Sequence, residues 1–315
     1  MRSRAWLCAA ALIAAGWFAP APVTAQTLPV VRVATTLNDS GAEVYYAQDM
    51  GFFEKAGLHV EIVTLNSAGL LGSSVASGAL DFAETGLSVI ATAHQKGLPF
   101  VIVAPAGQYS SKAPTTALVA LKNSPLKSGS DLNGRTIAVR DINSPAYVGA
   151  RIWIDQSGGD SKSVKFVEVP DYDVAGALAQ GRIDGAVISE PDLQNALAAG
   201  TVRVVSFVYN SVASDFLLGA YFTTTSYAQT HPEIVRAFAI ALAQTARWAN
   251  ANPKLSAAIL SKYAKSHVDP AMPRVVYGER ATAALAQPVI DAAAKYGQLT
   301  ATFPAAELFA PGTLK

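Results

Sequence analysis

Cysteine is almost missing from this chain: Cys8 is the one example in 315 residues. If the segment that holds it is removed on export, as its layout predicts, no disulfide, thiol nucleophile or cysteine-based metal site remains. Histidine is scarce as well. His59, His94, His231 and His267 are scattered, none with a second histidine or an acidic partner at ligand spacing, so each reads as a surface or cap residue. The G-x-S-x-G elbow, the G-x-G-x-x-G fingerprint, the P-loop and H-E-x-x-H do not occur, which leaves the common enzyme classes without their signatures. A charge excess of one sign is also lacking, with 24 Lys and Arg against 23 Asp and Glu. With no basic block, nucleic acid and anionic membranes are excluded as electrostatic partners.

What is there begins with an export signal. MRSR is basic, WLCAAALIAAGWF is an apolar run of 13 residues, and APAPVTA ends in small residues before Gln26. Val23 and Ala25 occupy the positions a signal peptidase reads. A bilayer span needs about 20 apolar residues, so residues 1–25 are predicted to be a cleaved signal peptide rather than an anchor. No later run is long enough to span. Without Arg2 and Arg4 the balance is 22 basic to 23 acidic residues. The expected product is a soluble periplasmic protein, long enough for two lobes.

Past the leader the chain repeats itself. VVRVATT, LHVEIVTL and DFAET read as strands, separated by helical spacing in AEVYYAQDMGFFEKAG and AGLLGSSVAS. RTIAVR, VKFVEV and DGAVIS repeat the pattern, separated by AYVGARIWIDQSG and DYDVAGALAQG. Each half is β-α-β-α-β, and the punctuation before the third strand recurs: SGALD with Asp81, QGRID with Asp184. Glycine suits the helix ends and aspartate the turns. Residues 101–121 read as a crossing from the first half to the second, and 203–225 as the return. An amphipathic helix in HPEIVRAFAIALAQTARWANANP and two further helices then pack on the first half. The predicted fold is α/β and two-lobed, each lobe a mainly parallel sheet flanked by helices, joined by a two-strand hinge. The first lobe is expected at 26–106 and 216–315, the second at 107–215.

Open parallel sheets bind ligands beyond the carboxyl ends of their strands. In the first half these ends carry Asn38, Asp39 and Ser40, then Asn66 and Ser67, then Thr85 and Ser88; in the second, Asn143 and Ser144, then Asp171 and Tyr172, then Ser189 and Glu190. Helix capping accounts for such residues without a ligand, although a cap and a ligand contact coexist readily. Asp171 reads as a plain cap. Asn143-Ser144, at a helix start with Pro145, is the better anion site. Tyr109, Tyr147 and Tyr172 are candidate aromatic walls, whereas Tyr45 and Tyr46 read as core. Glu190 is suited to an amine or ring N–H. Glu84 is ambiguous and is not included.

AQDMGFFEKAGLHVEIV, SGALDFAETG, DLNGRTIAV, ALAQGRIDGAVISEP and YGERATAALAQPVIDAAAKYGQL together resemble the nitrate/sulfonate/taurine-type periplasmic binding proteins of ABC importers, in the NMT1/THI5-like superfamily. The resemblance spans nearly the whole chain after the leader. It implies the two-lobed (type II) periplasmic-binding-protein fold, closing on a small solute that is handed to a membrane permease and, through it, a cytoplasmic ATPase. It implies a cofactor-free monomer rather than an enzyme. The family's Glu-Pro element is matched by Glu190-Pro191, although Ile188-Ser189 replaces the aromatic residue often found before it. Asn143-Ser144 and the tyrosines favour a small organic anion, a sulfonate or carboxylate, while Glu190 leaves a nitrogen heterocycle open. Two other readings stay open: a pyrimidine-synthase-like protein of the same superfamily, against which stand the leader and the absent cysteines, and a sensor subunit that feeds no transporter.

Overall fold

A computed structural model describes residues 28–313, apart from 66 and 266. The predicted signal peptide and Asn66 lie outside the described residues. The chain starts with β1 (Val30–Thr35), α1 (Glu43–Asp49), α2 (Phe52–Lys55), β2 (His59–Thr64), α3 (Ala68–Ala76), β3 (Phe82–Gly86), α4 (Leu87–Gln95) and β4 (Phe100–Pro105). The single helix expected over 42–57 is broken in two at Met50-Gly51. A short strand β5 (Gly107–Ser110) leads to β6 (Thr116–Leu121). There follow β7 (Thr136–Val139), α5 (Pro145–Gln156), β8 (Lys165–Glu168), α6 (Val174–Ala179), β9 (Gly185–Ser189), α7 (Asp192–Ala198) and β10 (Val202–Ser206). The return runs through β11 (Asp215–Leu217) and β12 (Gly219–Thr224) to α8 (Thr225–Thr230), α9 (Pro232–Ala251), α10 (Pro253–Ala264), β13 (Val276–Tyr277) and α11 (Ala283–Lys295).

These strands form two five-stranded sheets, β2-β1-β3-β12-β4 and β10-β6-β9-β7-β8. In the first, β1 is parallel to β2 and β3, and only β12 runs against its neighbours. In the second, β7 is parallel to β8 and β9, and β6 alone is reversed. Helices cover both faces, so the strands are apolar on both sides. Val31, Val33 and Phe82 pack under α1, α2 and α9, with Phe82 stacked on Phe238 at 4.3 Å. Alternate residues, Ala34, Ala83 and Ile102, face the other way, toward α3, α4 and α11. The second sheet divides in the same manner: Val119 and Ile188 face α6 and α7, while Ile137 and Val187 face α5.

The repeated Gly–Asp punctuation now has a second purpose. Gly78 and Gly181 end their helices at φ 74° and 65°, conformations that glycine adopts at little cost. The aspartates then clamp the first strand of their own half. Asp81 accepts the Arg32 backbone N–H at 2.7 Å and pairs with its guanidinium at 3.0 Å. Asp184 accepts the Thr136 N–H at 2.8 Å and meets Arg135 at 3.3 Å. In each sheet the third strand pairs with the first only from the next residue on, Phe82 with Val33 and Gly185 with Ile137. The side chain thus supplies the acceptor that the strand does not reach.

The chain crosses between the sheets on β5 and β11, which pair antiparallel, with β13 on the other edge of β5. The hinge therefore has a third, short strand beyond the two expected. It is fastened to the loop that follows β1. Arg274 Nε donates to Asp39 Oδ1 at 2.6 Å, the Val275 N–H to Asp39 Oδ2 at 2.8 Å, and the Tyr277 hydroxyl to the Asp39 carbonyl at 2.7 Å. The other Arg274 nitrogens reach the Tyr46 hydroxyl, the Pro253 carbonyl and Ser256 Oγ. On the same loop Ser40 presses on the hinge: a Cβ on Gly107 would lie 2.5 Å from Ser40 Oγ.

Both partners of the Asp39–Arg274 pair are buried, with side-chain exposures of 3% and 9%. Removing one partner of a buried pair strands the other, at a cost of about 3–5 kcal/mol. Arg274→Ala is expected to lower unfolding stability in urea by about that amount. The double variant Asp39→Asn/Arg274→Met should lose much less than the sum of its single changes. An additive pair would show that the two do not act together.

Candidate functional site

The carboxyl ends of both sheets open onto one cavity of about 140 Å³. From the first sheet it receives Thr36 and Asn38 after β1, and Glu84 and Thr85 at the end of β3. From the second it receives Arg140 after β7, Ser144 at the start of α5, Asp171, and Glu190 after β9. The wall is completed by Tyr209 and Leu218 from the return crossing and by apolar Leu71, Val89 and Val275. The two halves touch around it. Ser88 Oγ donates to the Asn143 carbonyl at 2.5 Å, Gln298 to the Ile142 carbonyl at 2.7 Å, and Arg151 to the Tyr296 carbonyl at 2.6 Å.

Six of the residues expected to bind a ligand stand on this wall: Asn38, Asp39, Ser40, Thr85, Ser144 and Glu190. Asn38 Oδ1 is used by the Gly41 N–H at 2.9 Å, and Asp39 is occupied by Arg274. Ser144 caps α5, accepting the Tyr147 N–H at 3.3 Å. Six others do not line the cavity. Ser67 is exposed at the start of α3. Ser88 is fully buried, its hydroxyl committed to Asn143. Asn143 is exposed; its carbonyl accepts from Ser88 and its N–H donates to Asp141 Oδ1 at 2.6 Å. Tyr109 is buried in the hinge, donating to Asn210 Oδ1 at 2.6 Å and packed on Tyr209 and Phe216. Tyr147 packs edge-on against Phe166 beneath Arg151. Tyr172 is 69% exposed. Tyr45 and Tyr46 are in the core, as their pattern predicts.

Asp171 is not the plain cap expected from the sequence. Its side chain caps no helix; it forms a short ion pair with Arg140 and accepts the Ser189 N–H at 3.3 Å. Its other oxygen, Oδ1, is buried without a partner among the described residues. Arg140 went unnoticed because it closes a good strand pattern. The rule that polar residues at strand ends face the cleft applies to it as much as to Glu190. Thr115 and Thr116 escape the strand-end rule because they stand at the entry of a strand, β6, that runs reversed in the second sheet. Thr116 Oγ1 and Ser189 Oγ lie 2.9 Å apart.

Burial governs the titration of the site. Desolvation pushes Glu84 up to about 7, against the opposing pull of the Thr36 and Thr35 hydroxyls and of Arg140. Glu190 is likewise pushed up to about 7 by burial; a hydrogen bond from the Gln194 N–H opposes this, and Asp39, Asp192 and Asp269 add to it. Asp192 is raised by burial and by Asp171. Behind Glu84, Glu43 is fully buried with no hydrogen-bond partner for either oxygen among the described residues, and burial, then Glu84, hold it well above the usual carboxylate range. Burial also works against charge on Arg140, but the neighbouring Asp171 outweighs it and keeps the guanidinium ionised.

Comparison with known proteins agrees with this architecture. The chain superposes on the periplasmic aliphatic sulphonate binding protein of Escherichia coli with a TM-score of 0.71 at 18% identity, covering 89% of this chain and 97% of that one. The ligand-binding component of an ABC-type import system from Staphylococcus aureus gives 0.78 at 14% identity, covering 90% and 97%. The periplasmic nitrate-binding protein of Synechocystis PCC 6803 gives 0.74 at 15%, covering 90% and 85%. At such identities these likenesses establish the periplasmic-binding-protein fold. A Haemophilus influenzae protein named for thiamine biosynthesis is 27% identical over 217 residues, 62% of this chain and 67% of that one. The profile described as NMT1/THI5 like matches residues 38–256, well over half the chain, and the protein belongs to that family.

Proposed function

We propose that the protein is the periplasmic solute receptor of an ABC importer, which captures a small organic molecule between two lobes and delivers it to a membrane permease. Lobe one would comprise 26–106 and 216–315 and lobe two 107–215. The observation that carries this reading is a single cavity walled by the strand ends of both sheets, with the chain crossing twice beside it. A guest that touches both walls favours the shut form by its differential affinity, which is how such a hinge is closed. The family match and the import-system neighbours support the same role. The pyrimidine-synthase-like alternative is not favoured: its support is the distant thiamine-related relative. No helix among the described residues is long and apolar enough to cross a membrane.

The organic anion expected from Asn143-Ser144 has less support than the importer role. Asn143 is off the wall, the Tyr147 N–H in the first turn of α5 is taken by Ser144, and the cavity offers one guanidinium, already paired with Asp171.

A receptor binds without converting. In a thermal-shift screen of small organic solutes, at least one should raise the melting temperature. The same solute should reduce the radius of gyration in solution scattering and be recovered chemically unchanged. A solute consumed during incubation would favour the enzyme; a library in which nothing stabilises or compacts the protein removes the receptor reading. In a bacterial host, the mass of the periplasmic product should correspond to a chain starting at Gln26.

A further inference from the structure

We infer that the guest of this cleft is a small organic cation, an ammonium or amidinium, whose N–H groups are taken by Glu84 from one wall and Glu190 from the other. The inference rests on the receptor reading and names the chemistry of its solute. Five carboxylates border the cavity, Asp39, Glu84, Asp141, Asp171 and Glu190, against one guanidinium, Arg140. Two of the five are neutralised within the protein, Asp39 by Arg274 and Asp171 by Arg140. Asp141 is partly exposed and accepts the Asn143 N–H. Glu84 and Glu190 remain, only 3% and 2% exposed, with no cationic side chain bonded to either among the described residues.

Their hydrogen bonds are incomplete. Glu84 receives the Thr36 and Thr35 hydroxyls on Oε2 at 3.3 and 3.4 Å, both long, and is approached by the Thr36 backbone N–H, all from the carboxylate's own half. Glu190 Oε2 receives the Gln194 N–H at 3.0 Å, and its other oxygen has no donor among the described residues. Independently, the buried Oδ1 of Asp171 is a further acceptor on this wall without a donor among the described residues. Buried acceptors in native proteins are satisfied in the great majority of cases, and a guest rich in N–H groups would satisfy these. A sulfonate or carboxylate would add acceptors where donors are missing. It would also require both glutamates to stay protonated.

The surroundings set the sign of the pH response. Glu84 faces the Thr35 and Thr36 hydroxyls beyond β1, Glu43 on α1, Tyr221 on β12 and, across the cleft, Arg140. Glu190 faces Asp39 across the cleft and Asp192 and Asp269 nearby. Without a guest, both glutamates hold protons up to near neutrality, so they lower the folding stability as pH rises from the ordinary carboxylate range to about 7. A cation between them favours the ionised forms and expels those protons. Affinity for a cation therefore rises with pH across this window, by up to tenfold per pH unit for each proton released; affinity for an anion falls.

The test compares benzamidine, butylammonium and 1,4-diaminobutane with benzoate and butanesulfonate, by thermal shift and calorimetry at about pH 5.5 and about pH 8. A cationic probe should stabilise the protein, more strongly at the higher pH, with protons released in calorimetry in buffers of different ionisation enthalpy. Glu190→Gln should weaken that probe by about tenfold or more and flatten its pH response. The same change should leave the unliganded protein at least as stable as wild type at the higher pH, because an unpaired buried charge is gone; this separates lost recognition from lost folding. Glu84→Gln should do the same. Stabilisation by benzoate or butanesulfonate that strengthens at low pH overturns the cation while leaving the solute receptor intact. No response to any of the three cations also overturns it. Unaltered binding in both glutamine variants overturns the assignment of the two residues.

Discussion

Burying a carboxylate is costly unless donors reach its lone pairs, and the way Asp39 obtains its donors organises the molecule. Its donors come from Arg274, Val275 and Tyr277, a segment some 235 residues further along the chain. Within that segment, β13 is hydrogen-bonded to the hinge strand β5, and Tyr277 is paired with Gly107, the glycine against which Ser40 rests. One ion pair thus joins the loop after β1, the hinge and, through the Pro253 carbonyl and Ser256, the start of α10. In the proposed receptor the loop that meets the solute and the strand about which the lobes turn are parts of the same rigid piece. Asp39 is better understood as the foundation of the binding loop than as a ligand contact.

The fold was legible because burial on both faces of a sheet leaves a strong mark. Val31, Val33 and Phe82 alternate with Ala34 and Ala83, and the same period recurs at Ile137, Ala138 and Val139. Repetition strengthened the reading, since the same punctuation before two third strands has one structural cause, a clamp from Asp81 or Asp184 onto the strand beside it. The clamp itself was not legible. An aspartate after a helix-ending glycine looks like a turn residue, and only the strand register reveals the unmet N–H at Arg32 or Thr136. β13 is two residues long and exists because of its neighbours, so no periodicity announces it.

For the site, the strand-end rule names positions but carries no information on side-chain direction. Thr85 and Ser88 are three residues apart, yet one borders the cavity and the other is buried against Asn143. Tyr109, Tyr147 and Tyr172 are the aromatic candidates of the sequence, yet it is Tyr209, the packing neighbour of Tyr109, that reaches the wall. These differences depend on how the two halves meet, which is a property of contacts distant in sequence. Arg140 and Asp171 show the opposite limit. Arg140 reads as the close of a strand and Asp171 as a cap, and their mutual pairing could not be read from either pattern.

That pairing bears on how a hinge of this kind is switched. Moving a two-state equilibrium from one per cent to ninety-nine per cent closed takes a differential affinity of about 5.5 kcal/mol. Hydrogen bonds to charged groups contribute about 1.5–3 kcal/mol each, so a guest needs at least two, one on either side, to act as the switch. In the proposed receptor, the contacts between the halves outside the cavity, Ser88 to Asn143 and Arg151 to Tyr296, would favour the shut form whether or not a guest is present. Against them stands the proximity of like charges, since Glu190 lies close enough to Asp39 across the cleft for that carboxylate to help raise it. Arg274 offsets part of this repulsion by holding Asp39 from behind. An Asp39 without that guanidinium would resist closure more strongly, and the solute would have to supply the difference.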